Sequence, residues 1–123
     1  MSKFEANAIT WFEIPVSDID RARGFYENIL TTKLIPYESS FLFPVKDGGV
    51  GGSITSRTEQ KPVTDGTLVF LNANGHLDNS VERAQIVGSK VIVPRTEIPG
   101  GHGFFAVITD SEGNHVGLHS RGE

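Results

Sequence analysis

The side chains best placed to do chemistry are one glutamate, Glu13, and the four histidines, His76, His102, His115 and His119. The chain has no cysteine, so thiolate nucleophiles, thiolate metal sites and disulfides are excluded. Glu13 interrupts the apolar start of WFEIPVSDIDRARGFYENIL, residues 11–30. A carboxylate there is a solvated residue on a sheet face, an ion-pair partner, or a general base or hydrogen-bond acceptor in a pocket. His115 and His119 are four strand residues apart, about 13 Å along the chain. One metal ion cannot use both, because each ring nitrogen must come within about 2 Å of it. At most one of them joins Glu13, and two ligands plus water make a weak site. His102 lies in PGGHG, either a loop that gates a pocket mouth or an ordinary solvent loop. His76 follows the turn NANG and reads as a surface residue.

Strand alternation decides where these groups point. Trp11, Glu13 and Pro15 share one face of the first strand; Phe12, Ile14 and Val16 share the other. The apolar set is expected to meet the following helix, which turns Trp11 and Glu13 toward the opposite side. The same parity puts His115, Gly117 and His119 together on the last strand.

The order of elements repeats. Residues 9–36 and residues 66–94 each give a short apolar strand, polar turn residues, about three turns of amphipathic helix, and a similar exit, ILTTKLIP or IVGSKVIVP. In the first helix Ile19, Ala22, Phe25, Tyr26 and Ile29 form one face, with Ser17 and Asp20 as a capping box and Asp18 at the positive end of the helix dipole. The second helix is expected from about Asp78 to Val87. Leu77, Val81, Ala84 and the pair 86–87 form its stripe, and Gly88 is the C′ residue. Three strand signals follow each helix. TDSEGN (109–114) reads as a hairpin turn and RTEQKPVTD (57–65) as a polar linker. One βαβββ unit cannot cover both faces of its sheet. The expected fold is therefore α+β: two tandem βαβββ modules, about 9–57 and 66–120, forming a curved mixed sheet around a cavity with the helices outside.

A length of 123 residues fits one domain spanning 1–123. The net charge of −4, with no cluster of Lys or Arg, argues against nucleic acid as a partner. No apolar run approaches the roughly 18 residues that span a bilayer, and MSKFEANAIT lacks the apolar core of a secretory signal. A cytoplasmic location is the expectation. Gly101-x-Gly103-x-x-Ala106 mimics part of a dinucleotide fingerprint but precedes a strand rather than a helix.

The strand–turn–helix WFEIPVSDIDRARGFYENIL, the closing DSEGNHVGLHS and the paired βαβββ order resemble the vicinal oxygen chelate superfamily, which includes glyoxalase I, bleomycin-resistance proteins and extradiol dioxygenases. The resemblance covers about residues 9–120 and is closest to small bacterial glyoxalase-related proteins. It implies a divalent metal held by His, Glu or Gln from the first and last strands of each module, acting as a Lewis acid. Carried over, those positions fall on Trp11, about Leu68, Gly117, and the region of Gly52 and Ser53. Of these only Ser53 has any ligand capacity, and a poor one. The resemblance therefore implies a small-molecule-binding protein without the metal site. The alternative is a metal-dependent lyase, isomerase or dioxygenase-like enzyme using Glu13, the candidate catalytic group, and a histidine. A cofactor is not expected, with a divalent metal as the exception under that alternative. The pocket is expected to contain Trp11, Glu13, Phe70, His102, Phe104 or Phe105, Gly117 and His119. The partners expected are a small organic molecule and a second copy in a homodimer, through modules paired within or across chains.

Overall fold

The computed structural model describes residues 7–122. The start of the segment read as lacking a secretory signal, residues 1–6, lies outside the described residues. The chain runs β1 (Trp11–Pro15), α1 (Ile19–Leu30), β2 (Ile35–Tyr37), β3 (Ser40–Leu42) and β4 (Gly51–Thr55), and then β5 (Phe70–Asn72), α2 (Leu77–Ile86), β6 (Val91–Glu97), β7 (Phe104–Thr109) and β8 (His115–Ser120). The strand orders are β1-β4-β3-β2 and β5-β8-β7-β6. In each sheet the first and fourth strands pair in parallel and the remaining pairs are antiparallel. This is the expected α+β architecture of two tandem βαβββ modules with mixed sheets. Among the described residues, no helix is long and apolar enough to cross a membrane.

Alternation holds as read. Ile14 and Val16 are buried under the helices, while Trp11 and Glu13 are exposed. On β8, Val116 and Leu118 enter the core. The helix-facing sides of both sheets and the two helices share one core, including Ala22, Tyr26, Ile29, Ile54, Leu77, Ala84, Ile108 and Leu118. Leaving any of the leucines or isoleucines among them in water would cost about 1.5–3 kcal/mol, so this shared face fixes the register of the sheets.

Two expectations about the helices are corrected. The N-cap of α1 is Asp18, whose side chain accepts from Arg21 N, rather than Ser17. Ser17 sits one residue too early, and its backbone N–H donates instead to Glu112 Oε1 at 2.9 Å. On α2, Leu77 and Ala84 are buried, but Ile86 is 76% exposed and Val87 is also exposed. Two residues beyond Ala84, at 3.6 residues per turn, the side chain has swung to the far side of the helix. Gly88 does occupy the left-handed position after α2, with φ 101°.

The turn 109–114 ties the second module to the first. Tyr26 donates its hydroxyl to buried Asp110 at 2.6 Å. Asp110 also accepts the backbone N–H groups of Glu112 and Asn114, and Asn114 Nδ2 donates to Pro15 O. Glu112 accepts from Ser17 N, Asp18 N and the Arg21 guanidinium. Burial alone would raise the Glu112 carboxyl. The donors Arg21, Asp18, Ser111 and Ser17 outweigh it and hold it at about 2. Burial, followed by the Asp110 charge, raises the Tyr26 phenol well above its ordinary value.

Candidate functional site

The outer faces of the two sheets, turned away from the helices, carry most of the residues expected in the pocket. Register fixes the rows of the first sheet. Ile35, Leu42, Ser53 and Glu13 lie side by side, and so do Tyr37, Ser40, Thr55 and Pro15. Trp11 is 46% exposed. With Val45 it covers Gly51, where an added Cβ would meet both side chains. Ile35, Tyr37 and Val45 are exposed as well, so this is an open apolar surface, crossed by a polar strip in which Ser53 and Thr55 are buried. In the strip, the Thr55 hydroxyl hydrogen-bonds both Ser53 Oγ (2.7 Å) and Ser40 Oγ (3.1 Å).

Glu13 is an ion-pair partner. Arg57 Nη2 donates to both its carboxylate oxygens, at 2.6 and 2.7 Å. By sequence Arg57 belongs to the polar linker 57–65. The signal that identifies it is parity: Gly51, Ser53, Thr55 and Arg57 continue one face of β4 past its end, beside Glu13 and Pro15. Gln60 joins these residues around a small recess.

The outer face of the second sheet is aromatic. Phe70 is 50% exposed and lies over Gly117, its register partner. Phe105 meets the Phe70 ring edge-on, with centroids 5.9 Å apart. His119 pairs in register with Phe105, and its Nε2 donates to the His102 carbonyl at 2.9 Å. His102 thus contributes its backbone, through a loop turned by glycines at positive φ. Gly103 in that loop has no room for a Cβ, which would stand 2.1 Å from Ser120 O. Of the two candidate phenylalanines, Phe105 belongs to this face. Phe104 packs against the core and carries Arg95 over its ring at 4.2 Å. His115 lies apart from this aromatic cluster, in a cleft of about 570 Å³ that is also lined by Glu13, Val69 and the linker residues Glu59, Gln60, Lys61 and Val63. His76 begins α2, with no side-chain cap bond.

The structure therefore forms two half-sites, Trp11–Glu13–Arg57 and Phe70–Phe105–His119. Among the described residues, no hydrogen bond, ion pair or ring contact joins them within the chain.

The divalent ion implied by the resemblance does not fit the residues at its positions. Trp11, Leu68 and Gly117 offer no donor. The Ser53 hydroxyl is tied to Thr55, and the space over Gly117 is filled by the Phe70 ring. Among the described residues, no three His, Cys, Asp or Glu side chains converge as a metal-binding group. The faces can offer ring surfaces and a guanidinium to an organic molecule.

The family model described as bleomycin resistance protein-like N-terminal matches residues 8–36, spanning β1 and α1. Among curated proteins no sequence matches this chain. Among solved structures, a glyoxalase/bleomycin resistance protein from Albidiferax ferrireducens T118 is similar at 18% identity and a TM-score of 0.75, over 93% of this chain and 99% of that one. A genomically encoded fosfomycin resistance protein from Listeria monocytogenes is similar at 19% identity and 0.64, over 93% of each chain. A lactoylglutathione lyase from Agrobacterium tumefaciens is similar at 15% identity and 0.66, over 95% of this chain and 96% of that one. At these identities the likeness is one of fold.

Proposed function

We infer, from the vicinal oxygen chelate fold of this chain, that it is a small-molecule-binding protein working without the divalent ion of metal-dependent relatives. The reading is carried by the residues at the implied ligand positions, Trp11, Ser53, Leu68 and Gly117, which replace donors with a ring, a bonded hydroxyl, an aliphatic chain and no side chain. What remains is an apolar surface with few polar groups, the usual composition of a site for organic ligands. A second copy completes the site. β1 and β5 are edge strands with unpaired backbone groups, and each half-site lies open beside one of them. In a homodimer the polar face of one copy meets the aromatic face of the other.

Three measurements test this reading. Metal analysis of the protein after incubation with Ni, Zn, Mn and Fe salts is expected to find substoichiometric metal, unchanged in Glu13→Ala. A thermal-shift screen is expected to find apolar organic compounds that raise Tm by mass action. Stoichiometric metal lost in Glu13→Ala would instead establish the metal-dependent enzyme. Light scattering is expected to give the mass of two chains.

A further inference from the structure

We propose that Arg57 recognises a neutral oxygen acceptor on the ligand, such as a carbonyl, and that Glu13 sets this preference by cancelling the charge of Arg57. The proposal rests on reading the outer face of the first sheet as a ligand face. Arg57 uses only Nη2 for Glu13. A guanidinium has five N–H groups, so the Nε–H and both Nη1–H groups have no acceptor among the described residues. In the neighbouring chain Ser53–Thr55–Ser40, two hydrogen bonds join three hydroxyls, which leaves one hydroxyl hydrogen over. Ser53 and Thr55 are buried, so the donors open to a ligand are those of Arg57, whose side chain is half exposed, beside a face bordered by Trp11, Tyr37 and Ile35.

The excess is in donors and not in charge. Both oxygens of Glu13 lie on the guanidinium, so the pair is neutral as a unit. An anionic ligand would gain the Arg57 N–H groups but meet the Glu13 carboxylate beside them. A carbonyl gains the same N–H groups without that repulsion. Glu13 therefore acts as a positioning and selectivity residue: it fixes the guanidinium over the face and removes its preference for anions. Of the roles its sequence position leaves open, this builds on the ion-pair partner rather than on the general base or the metal ligand.

The test uses two probes of the same apolar body, 2-acetylnaphthalene and 2-naphthoate, titrated by calorimetry into the full chain, Glu13→Gln and Arg57→Met. Wild type is expected to bind the ketone more tightly. Glu13→Gln leaves the Arg57 charge uncancelled and is expected to tighten 2-naphthoate about tenfold, with the ketone changed by less than about threefold. Arg57→Met is expected to weaken the ketone about tenfold or more and to abolish the gain seen in Glu13→Gln when the two are combined. A wild type that prefers 2-naphthoate, an unchanged ratio in Glu13→Gln, an indifferent Arg57→Met, or no binding of either probe overturns the proposal. If screened compounds still stabilise the protein in any of those cases, the small-molecule reading survives without this polar site. If none does, that reading falls as well. Denaturation midpoints of the variants identify any that fail to fold, and Arg57→Lys then replaces Arg57→Met, with the same weakening of the ketone expected because a lysine lacks the planar fork.

Discussion

The two modules use one device on opposite sides of their sheets. Val16 N–H donates to Thr55 O, and Ala73 N–H donates to His119 O, so Glu13 and Phe70 occupy equivalent places, as do Ser53 and Gly117. Both pairs are in register across a parallel ladder. In the second module a phenylalanine lies on a glycine on the outer face, Phe70 over Gly117. In the first module the same pairing occurs one residue earlier, Phe12 over Gly52, and faces the core. That one-residue offset decides what each outer face can do. Where the ring turns inward, the outer position is released to Glu13 and its partner Arg57. Where it turns outward, the face becomes a ring platform. A repeated scaffold thus yields a polar and an aromatic half-site.

The sharpest test of this contrast is to add a methyl group beneath each ring. At Gly52 the new Cβ would stand 2.5 Å from the Phe12 ring and also from the Phe12 carbonyl oxygen, and Phe12 is packed against Phe43 and the core. Neither can give way, so Gly52→Ala is expected to cost about 3 kcal/mol or more. At Gly117 the Cβ would stand 2.3 Å from the Phe70 ring, whose atoms are its three nearest neighbours, and that ring is half exposed. It can swing away, so Gly117→Ala is expected to cost about 1 kcal/mol while displacing the ring from Phe105. Urea denaturation of the two variants checks the order. Equal costs would mean that the faces are not distinct in packing.

The modules differ also in what joins them. The β7–β8 turn presses Asp110 and Glu112 against β1 and α1. With the Glu112 carboxyl held at about 2 against an ordinary 4.5, its contribution is present above pH 4.5 and is lost as pH falls through about 2. The shift corresponds to about 3 kcal/mol at most, reduced to roughly 2 because Arg21 is half exposed and screened by solvent. Glu112→Gln is expected to lower stability at pH 7 by about that amount and to flatten the loss between pH 4.5 and 2. Denaturation midpoints at pH 7, 4.5 and 2.5 measure both effects. A variant as acid-sensitive as wild type would move the linkage to another carboxylate.

The repeat, the strand parity and the turn 109–114 were legible in the sequence because each depends on a local period or on turn chemistry. Parity placed Trp11 and Glu13 opposite the helix, and Gly88 was read correctly as the residue that ends α2. Less legible were contacts between residues far apart in sequence. Arg57 on Glu13, Tyr26 on Asp110 and Glu112 on the start of α1 each link residues separated by 44 or more positions. Tyr26 fits an apolar stripe by spacing, and spacing is silent about where its hydroxyl ends. Phe104 and Phe105 could not be told apart until register set Phe105 opposite His119. The division of the expected pocket into two half-sites depends on how the sheets are arranged, which no local pattern encodes.

The smallest expected effect has the opposite sign and compares the two helices. Gly24 lies inside α1, between the buried residues Ala22 and Phe25. The equivalent place in α2, five residues from the helix start in each case, holds Glu82, a good helix former. Nothing lies within 4 Å of a Cβ built on Gly24, and its φ is not positive. The glycine is therefore required by neither packing nor backbone conformation. It costs helix stability through the freedom it has in the unfolded chain. Gly24→Ala is expected to stabilise the protein by about 0.5–1 kcal/mol, read as a higher urea midpoint at unchanged m-value. Gly88, at φ 101°, is the control: there alanine is expected to destabilise by at least as much, because the left-handed backbone disfavours a Cβ. If Gly24→Ala is neutral or destabilising, the cleft that Gly24 lines with Arg21, Asn28 and Val87 holds something that needs the missing side chain.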